Sequence, residues 1–134
     1  MNFPVLKLDR IPTKTEVGWI TAGELRSARA LAGFEYWTAL RGERRLPRHA
    51  EIAPRPMARF LRNVVTVRVI DGGADYEYRY TGDAAVQAFG EFRNKRVSQI
   101  IADLPDYGRM IRSIYDEVCR TGTAKFVRNW VAGD

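Results

Sequence analysis

Val64-Val65-Thr66-Val67-Arg68-Val69-Ile70, Asp71-Gly72-Gly73 and Tyr76-Glu77-Tyr78-Arg79-Tyr80 form the stretch on which the fold depends. The first segment is β-branched nearly throughout and too short for a typical helix, so it predicts a strand. Asp71-Gly72-Gly73 supplies residues that tolerate positive φ, as a tight turn requires. The return segment alternates, sending Tyr76, Tyr78 and Tyr80 to one face and Glu77 and Arg79 to the other. The expectation is a β-hairpin over 64–80 with an aromatic wall on one side. Such a wall suits an ordinary sheet core or the lining of a ligand cavity, and the core is the commoner use.

Downstream, Gly82-Asp83 turns the chain, and Asp83 is a good N-cap for a short helix over Ala84 to Phe89, stopped by Gly90. Glu91 to Lys95 reads as a polar, exposed loop. Val97, Ile100, Ile101 and Leu104 return to the core at near-helical spacing. Pro105 then opens the strongest helix in the chain, ending at Thr121 before Gly122. Tyr107, Met110, Ile111, Ile114, Tyr115 and Val118 give it a continuous apolar face, with Arg109, Arg112, Asp116 and Glu117 opposite. Ala124 to Val131 predicts a third strand with Phe126, Arg128 and Trp130 on one face.

Upstream, residues 1–23 are broken by Pro4, Pro12, Gly18 and Gly23 and predict an irregular arm. A helix over 24–41 follows, capped by Thr21 or Gly23 and closed by Gly42. Leu25, Ala28, Leu31, Ala32, Tyr36 and Leu40 recur on one face of it. A proline-marked linker leads to a short helix started by Pro54 or Pro56 and carrying Met57, Phe60 and Leu61. The domain proper is expected over 24–134, N-terminal helix included.

A chain of 134 residues supports a single domain with one core. Its 46% hydrophobic and 28% charged fractions argue against disorder. No apolar run approaches the roughly 20 residues needed to cross a bilayer. Lys7, Asp9 and Arg10 interrupt any secretory apolar region near the start. The single cysteine, Cys119, rules out an internal disulfide and a cysteine-rich metal site. A cytoplasmic protein without a membrane span is expected. The formal net charge is +6, with one real cluster at Arg41, Arg44, Arg45 and Arg48, near Arg26 and Arg29. Cations there suit a helix C-terminus and a solvated linker, and no groove-reading motif accompanies them.

The order of two hairpin strands, short helices, one long helix and another strand resembles the first part of a PAS domain. In detail the chain is similar to an alphaproteobacterial PAS-like domain family of unknown function. Trp37 with Leu40-Arg41-Gly42, Arg45-Leu46-Pro47-Arg48 and Glu51-Ile52-Ala53-Pro54 carry the likeness, with Tyr78-Arg79-Tyr80-Thr81-Gly82 and Phe89-Gly90. The resemblance implies an α+β fold, an antiparallel sheet with flanking helices plus an N-terminal helix. It also implies a five-stranded sheet, of which this chain supplies three strands and lacks the last two.

The resemblance further implies a sensory or regulatory role in signal transduction, through a small ligand or a signalling partner. Haem and flavin are disfavoured: the only histidine, His49, lies between two prolines in the linker, and no Asn-Cys-Arg motif is present. No metal site is expected, and no catalytic constellation or phosphate loop appears. The chain therefore reads as a non-enzyme. A ligand cavity would be walled by Tyr78, Tyr80, Phe89, Ile101, Tyr107, Met110, Ile111 and Ile114. A homodimer would use the stripe Leu25, Ala28, Leu31, Ala32 and Tyr36. The alternative is a binder of nucleic acid or acidic protein through Arg41, Arg44, Arg45 and Arg48; of these partners, nucleic acid is the less expected.

Overall fold

The computed structural model of the chain describes residues 17–128 apart from Pro54; the side chains of residues 49, 88 and 89 also lie outside the description. In order come β1 (Trp19–Ile20), α1 (Ala28–Arg41), β2 (Val65–Ile70), β3 (Asp75–Thr81), α2 (Asp83–Phe89), α3 (Val97–Asp103), α4 (Pro105–Thr121) and β4 (Phe126–Val127). Short 3-10 turns at His49–Glu51, Arg55–Met57 and Leu61–Asn63 carry the linker between α1 and β2. The architecture is the expected α+β one, with small antiparallel sheets and flanking helices.

The hairpin forms as the β-branched run and its turn predict. Val69 pairs with Tyr76 and Val67 with Tyr78. Asp71, Gly72 and Gly73 all take positive φ, and Ala74 closes the turn by donating to the Ile70 carbonyl at 2.9 Å. The aromatic wall is shorter than expected. A register shift between Thr66 and Val67 leaves Arg79 without a partner and sets Tyr80 opposite Thr66. Such an extra residue resets the alternation. Tyr80 consequently turns its hydroxyl to the Leu61 carbonyl at 3.3 Å, while Tyr76 and Tyr78 alone enter the core.

Three further expectations need correction. The helix begins at Ala28, with Ser27 Oγ accepting from Ala30 N–H at 3.2 Å. The Thr21 and Glu24 signal is real but closes a separate 3-10 turn, where Thr21 N–H donates to Glu24 Oε1 at 2.9 Å. Leu25 therefore precedes the helix. The 91–95 segment is exposed only in part: Glu91, Arg93 and Asn94 face solvent, but Phe92 and Lys95 are buried. Asn94, at φ 64, turns the chain so that Asn94 and Lys95 bond the Tyr78 backbone along the free edge of β3.

The predicted third strand, finally, pairs with the N-terminal arm, Trp19 opposite Val127 and Ile20 opposite Phe126. Gly122 leaves α4 in a left-handed conformation, and Phe126 seats its ring edge-on against Phe34 of α1, 4.8 Å between centroids. That contact directs β4 toward the arm. Trp130 and residues 1–16 lie outside the described residues.

The core sits between the hairpin and the α3–α4 pair. Tyr76, Tyr78, Phe92, Val97 and Ile100 are buried, with Val67, Ile101, Leu104, Tyr107, Ile111 and Tyr115 packed around them. Close approach of α3 to α4 rests on Gly108, whose absent Cβ would lie 2.7 Å from Ile101 Cα. Arg112 ties α4 to the hairpin turn through the Ala74 carbonyl at 2.9 Å.

Candidate functional site

Of the eight residues expected to wall a cavity, four serve the core instead. Tyr78 is buried in it, and Ile101, Tyr107 and Ile111 pack against it. Met110 is buried and Ile114 half-buried on α4. Tyr80 is turned away to Leu61, and the Phe89 side chain lies outside the described residues. The space between the hairpin and α4 is filled by rings: Tyr76 and Tyr115 at 5.3 Å, Tyr78 and Phe92 at 5.4 Å. Their polar ends are satisfied in place. Tyr76 donates to Asp116 at 2.5 Å, and the Tyr78 and Tyr115 hydroxyls share a hydrogen bond of 3.0 Å. Burial pushes the Tyr78 and Tyr115 phenols up and that of Tyr107 to about 12. Burial, then the hydrogen bond to the Asp116 carboxylate, raises Tyr76.

Among the described residues, open apolar volume is found beside α1. A pocket of about 420 Å³ runs between α1 and the linker that leads into β2. Gly33, Tyr36, Trp37 and Leu40 line it from α1, Ile52, Met57, Phe60 and Val64 from the linker side. Its size falls within the range of small-molecule sites. The linker is held against α1 by Tyr36, whose hydroxyl accepts from Ala53 N–H at 3.1 Å and whose ring stands 6.0 Å from Phe60. Polar side chains enter the lining at Ser27, Arg29, Asn63 and Thr66. Sequence reasoning had Tyr36, Met57 and Phe60 as apolar positions but on separate elements.

The interaction stripe divides as well. Ala32 and Tyr36 are half-buried, whereas Ala28 is exposed and Leu31 is 37% exposed. No residue of α1 is fully buried.

The basic cluster is largely built into the helix ends. Arg44 forms a two-pronged pair with Glu51, at 2.6 and 2.8 Å, and also donates to the Leu40 carbonyl at 2.9 Å. That pair holds the Glu51 carboxyl down at about 2. Arg41 lies over the Trp37 ring at 5.2 Å and donates to the Arg44 carbonyl. Arg45 reaches across to α4, donating to the Thr121 and Gly122 carbonyls. Arg48 contributes its backbone N–H to Glu51. A guanidinium on the last carbonyls of a helix satisfies orphan acceptors and meets the negative dipole end. Arg45→Ala is therefore expected to lower stability by about 1 kcal/mol, read by urea unfolding. An unchanged midpoint would return Arg45 to the solvated linker.

On the outer hairpin face, Glu77 is shared by Arg79 at 3.0 Å, Arg68 at 3.3 Å and Arg96 at 3.7 Å. Among the described residues no group of acidic, histidine or cysteine side chains is arranged to hold a metal ion. No helix among them is long and apolar enough to cross a membrane.

A family model described as PAS domain matches residues 25–129, most of the chain. No curated protein and no solved structure matches it significantly.

Proposed function

We propose a function from one premise: this chain belongs to the PAS domain family. It is a cytoplasmic sensory or regulatory module without a catalytic step of its own, and its input is a small apolar molecule held between α1 and the linker. One observation carries this reading. The hairpin–α4 interface is packed with aromatic rings, while a pocket of about 420 Å³ stands open under the one long helix that buries no residue fully. A helix docked so lightly has the least to lose on moving. A ligand that adds contacts between it and the linker shifts its population of docked states.

A thermal-shift screen of small apolar molecules against the full chain tests this. Ligands of the pocket raise the melting temperature, because binding the native state adds stability of about 2.7 kcal/mol at a hundredfold excess over Kd. Gly33→Met puts a side chain into the space and is expected to abolish the shift. Shifts that survive this substitution would place the ligand elsewhere.

Exposure of Leu31 and Ala28 on α1 favours a second reading, in which the same helix joins two copies of the chain. Light scattering then gives twice the 15.3 kDa chain mass, and Leu31→Glu returns the monomer with its fold intact. A wild-type monomer at tens of micromolar defeats that reading.

A further inference from the structure

The pocket under α1 is not uniformly apolar. Arg29 stands in the first turn of α1, and Trp37 lies on the same helix about 12 Å farther along at 1.5 Å per residue. The lining thus carries a cation toward one end and aromatic rings toward the other. Arg29 makes no hydrogen bond, ion pair or ring contact with any described residue, unlike Arg41, Arg44 and Arg45 nearby. Asn63, also in the lining, has its side-chain amide without a hydrogen-bond partner among the described residues.

The segment that supplies the opposing wall brings no acidic residue to it. Between Glu51 and Asp71 the chain carries Arg55, Arg59, Arg62 and Arg68 and no acidic residue. The nearest linker carboxylate, Glu51, is already committed to Arg44. Among the described residues no carboxylate forms an ion pair with Arg29. An apolar slot with an uncommitted guanidinium and an amide in its lining is complementary to a molecule with one anionic end and an apolar body. A planar carboxylate matches the guanidinium fork, and a chain or ring body suits the slot.

We propose that this pocket binds an amphipathic monocarboxylate, of the medium-chain fatty acid class, with its carboxylate on Arg29 and Asn63 and its apolar body between Gly33, Trp37, Met57 and Phe60. The assignment rests on the pocket being the module's input site. A macromolecular occupant fits less well, since the space is that of a small molecule and the aromatic floor is recessed beneath a helix.

Isothermal titration of the full chain with decanoate, and with decanol as the uncharged molecule of equal length, tests the class and the site separately. Decanoate is expected to bind saturably and more tightly than decanol. Arg29→Ala is expected to weaken decanoate about tenfold, the scale of a charge-assisted hydrogen bond, and to leave decanol unchanged. Arg29 is exposed, so this variant keeps its packing, and circular dichroism checks its fold. Equal affinity for the two probes, both lost in Gly33→Met, would overturn the carboxylate and retain the pocket. Absence of saturable binding by either probe, or binding indifferent to Gly33→Met, would overturn both.

Discussion

Gly108→Ala is expected to lower the melting temperature by roughly 10 °C. Alanine is the better helix former by about 1 kcal/mol, so propensity alone predicts a gain. Packing reverses the sign. The new Cβ would stand 2.7 Å from the Ile101 backbone nitrogen, Cα and Cγ1, and two of those atoms belong to the backbone of α3. The helix would have to retreat by about 1 Å to restore van der Waals contact. It carries Val97 and Ile100, both 0% exposed, so retreat opens the centre of the core. Overpacking of this kind costs about 3 kcal/mol, leaving a net loss of about 2 kcal/mol. Gly33→Ala provides the internal control. There the Cβ would meet Phe60 at an ordinary 3.9 Å, and the same substitution is expected to stabilise by up to about 1 kcal/mol. Thermal unfolding of the two variants side by side decides it; equal shifts of the same sign would mean that α3 and α4 are not locked together at Gly108.

The sheet and the long helix were legible because their signals are local. Val64 to Ile70 is β-branched at every position but Arg68, the Asp71-Gly72-Gly73 turn has its own chemistry, and the α4 face repeats at helical spacing over seventeen residues. Tyr80 was misplaced because strict alternation assumes no bulge. Nothing in Arg79-Tyr80-Thr81 announces the extra residue, which becomes visible only once β2 sets the register. The partner of β4 was hidden for a related reason. A two-residue strand takes its neighbour from tertiary contacts such as Phe34 against Phe126, about ninety positions apart in the chain. The Thr21 signal shows the opposite error: the capping residue is real but opens a 3-10 turn and not the α-helix, since both begin with the same side chains.

The site was less legible than the fold. Whether tyrosines line a void or fill one depends on side-chain volumes in three dimensions, and here Tyr76, Tyr78 and Tyr115 close on one another. The pocket arises where a glycine on α1 faces a linker of 3-10 turns. That arrangement has no shared periodicity to read, because only one of its walls, α1, is a regular element. The basic cluster was plain as composition, but its engagement was not. Arg45 and Gly122 are 77 positions apart, and only the folded chain brings the guanidinium to the end of α4.

Alkaline unfolding is the second large effect expected, and it follows from those same tyrosines. Tyr76, Tyr78, Tyr107 and Tyr115 all hold their protons more tightly in the folded protein than in the unfolded chain, where a phenol titrates near 10. For a group whose pKa is raised by folding, the stabilisation is complete below the unfolded value and is lost as pH rises through the folded one. Tyr107, pushed up to about 12 by burial, would alone withdraw up to ~3 kcal/mol by pH 12 at ~1.4 kcal/mol per unit. With three more phenols acting in the same direction, a domain of ordinary stability has little left. Absorbance at 295 nm and far-UV circular dichroism should therefore change together in one steep step above pH 10. Smooth ionisation of all six tyrosines near pH 10 with native dichroism would contradict the packed core. Tyr115→Phe separates the two contributions. It keeps the ring but strands the Tyr78 hydroxyl, bonded to Tyr115 at 3.0 Å, at a cost of about 1–2 kcal/mol at neutral pH. It also removes one titrating phenol, so stability should start lower and fall less steeply with pH. A neutral-pH loss without the shallower slope would mean that Tyr115 stabilises the core by its hydrogen bond alone and takes no part in the alkaline transition.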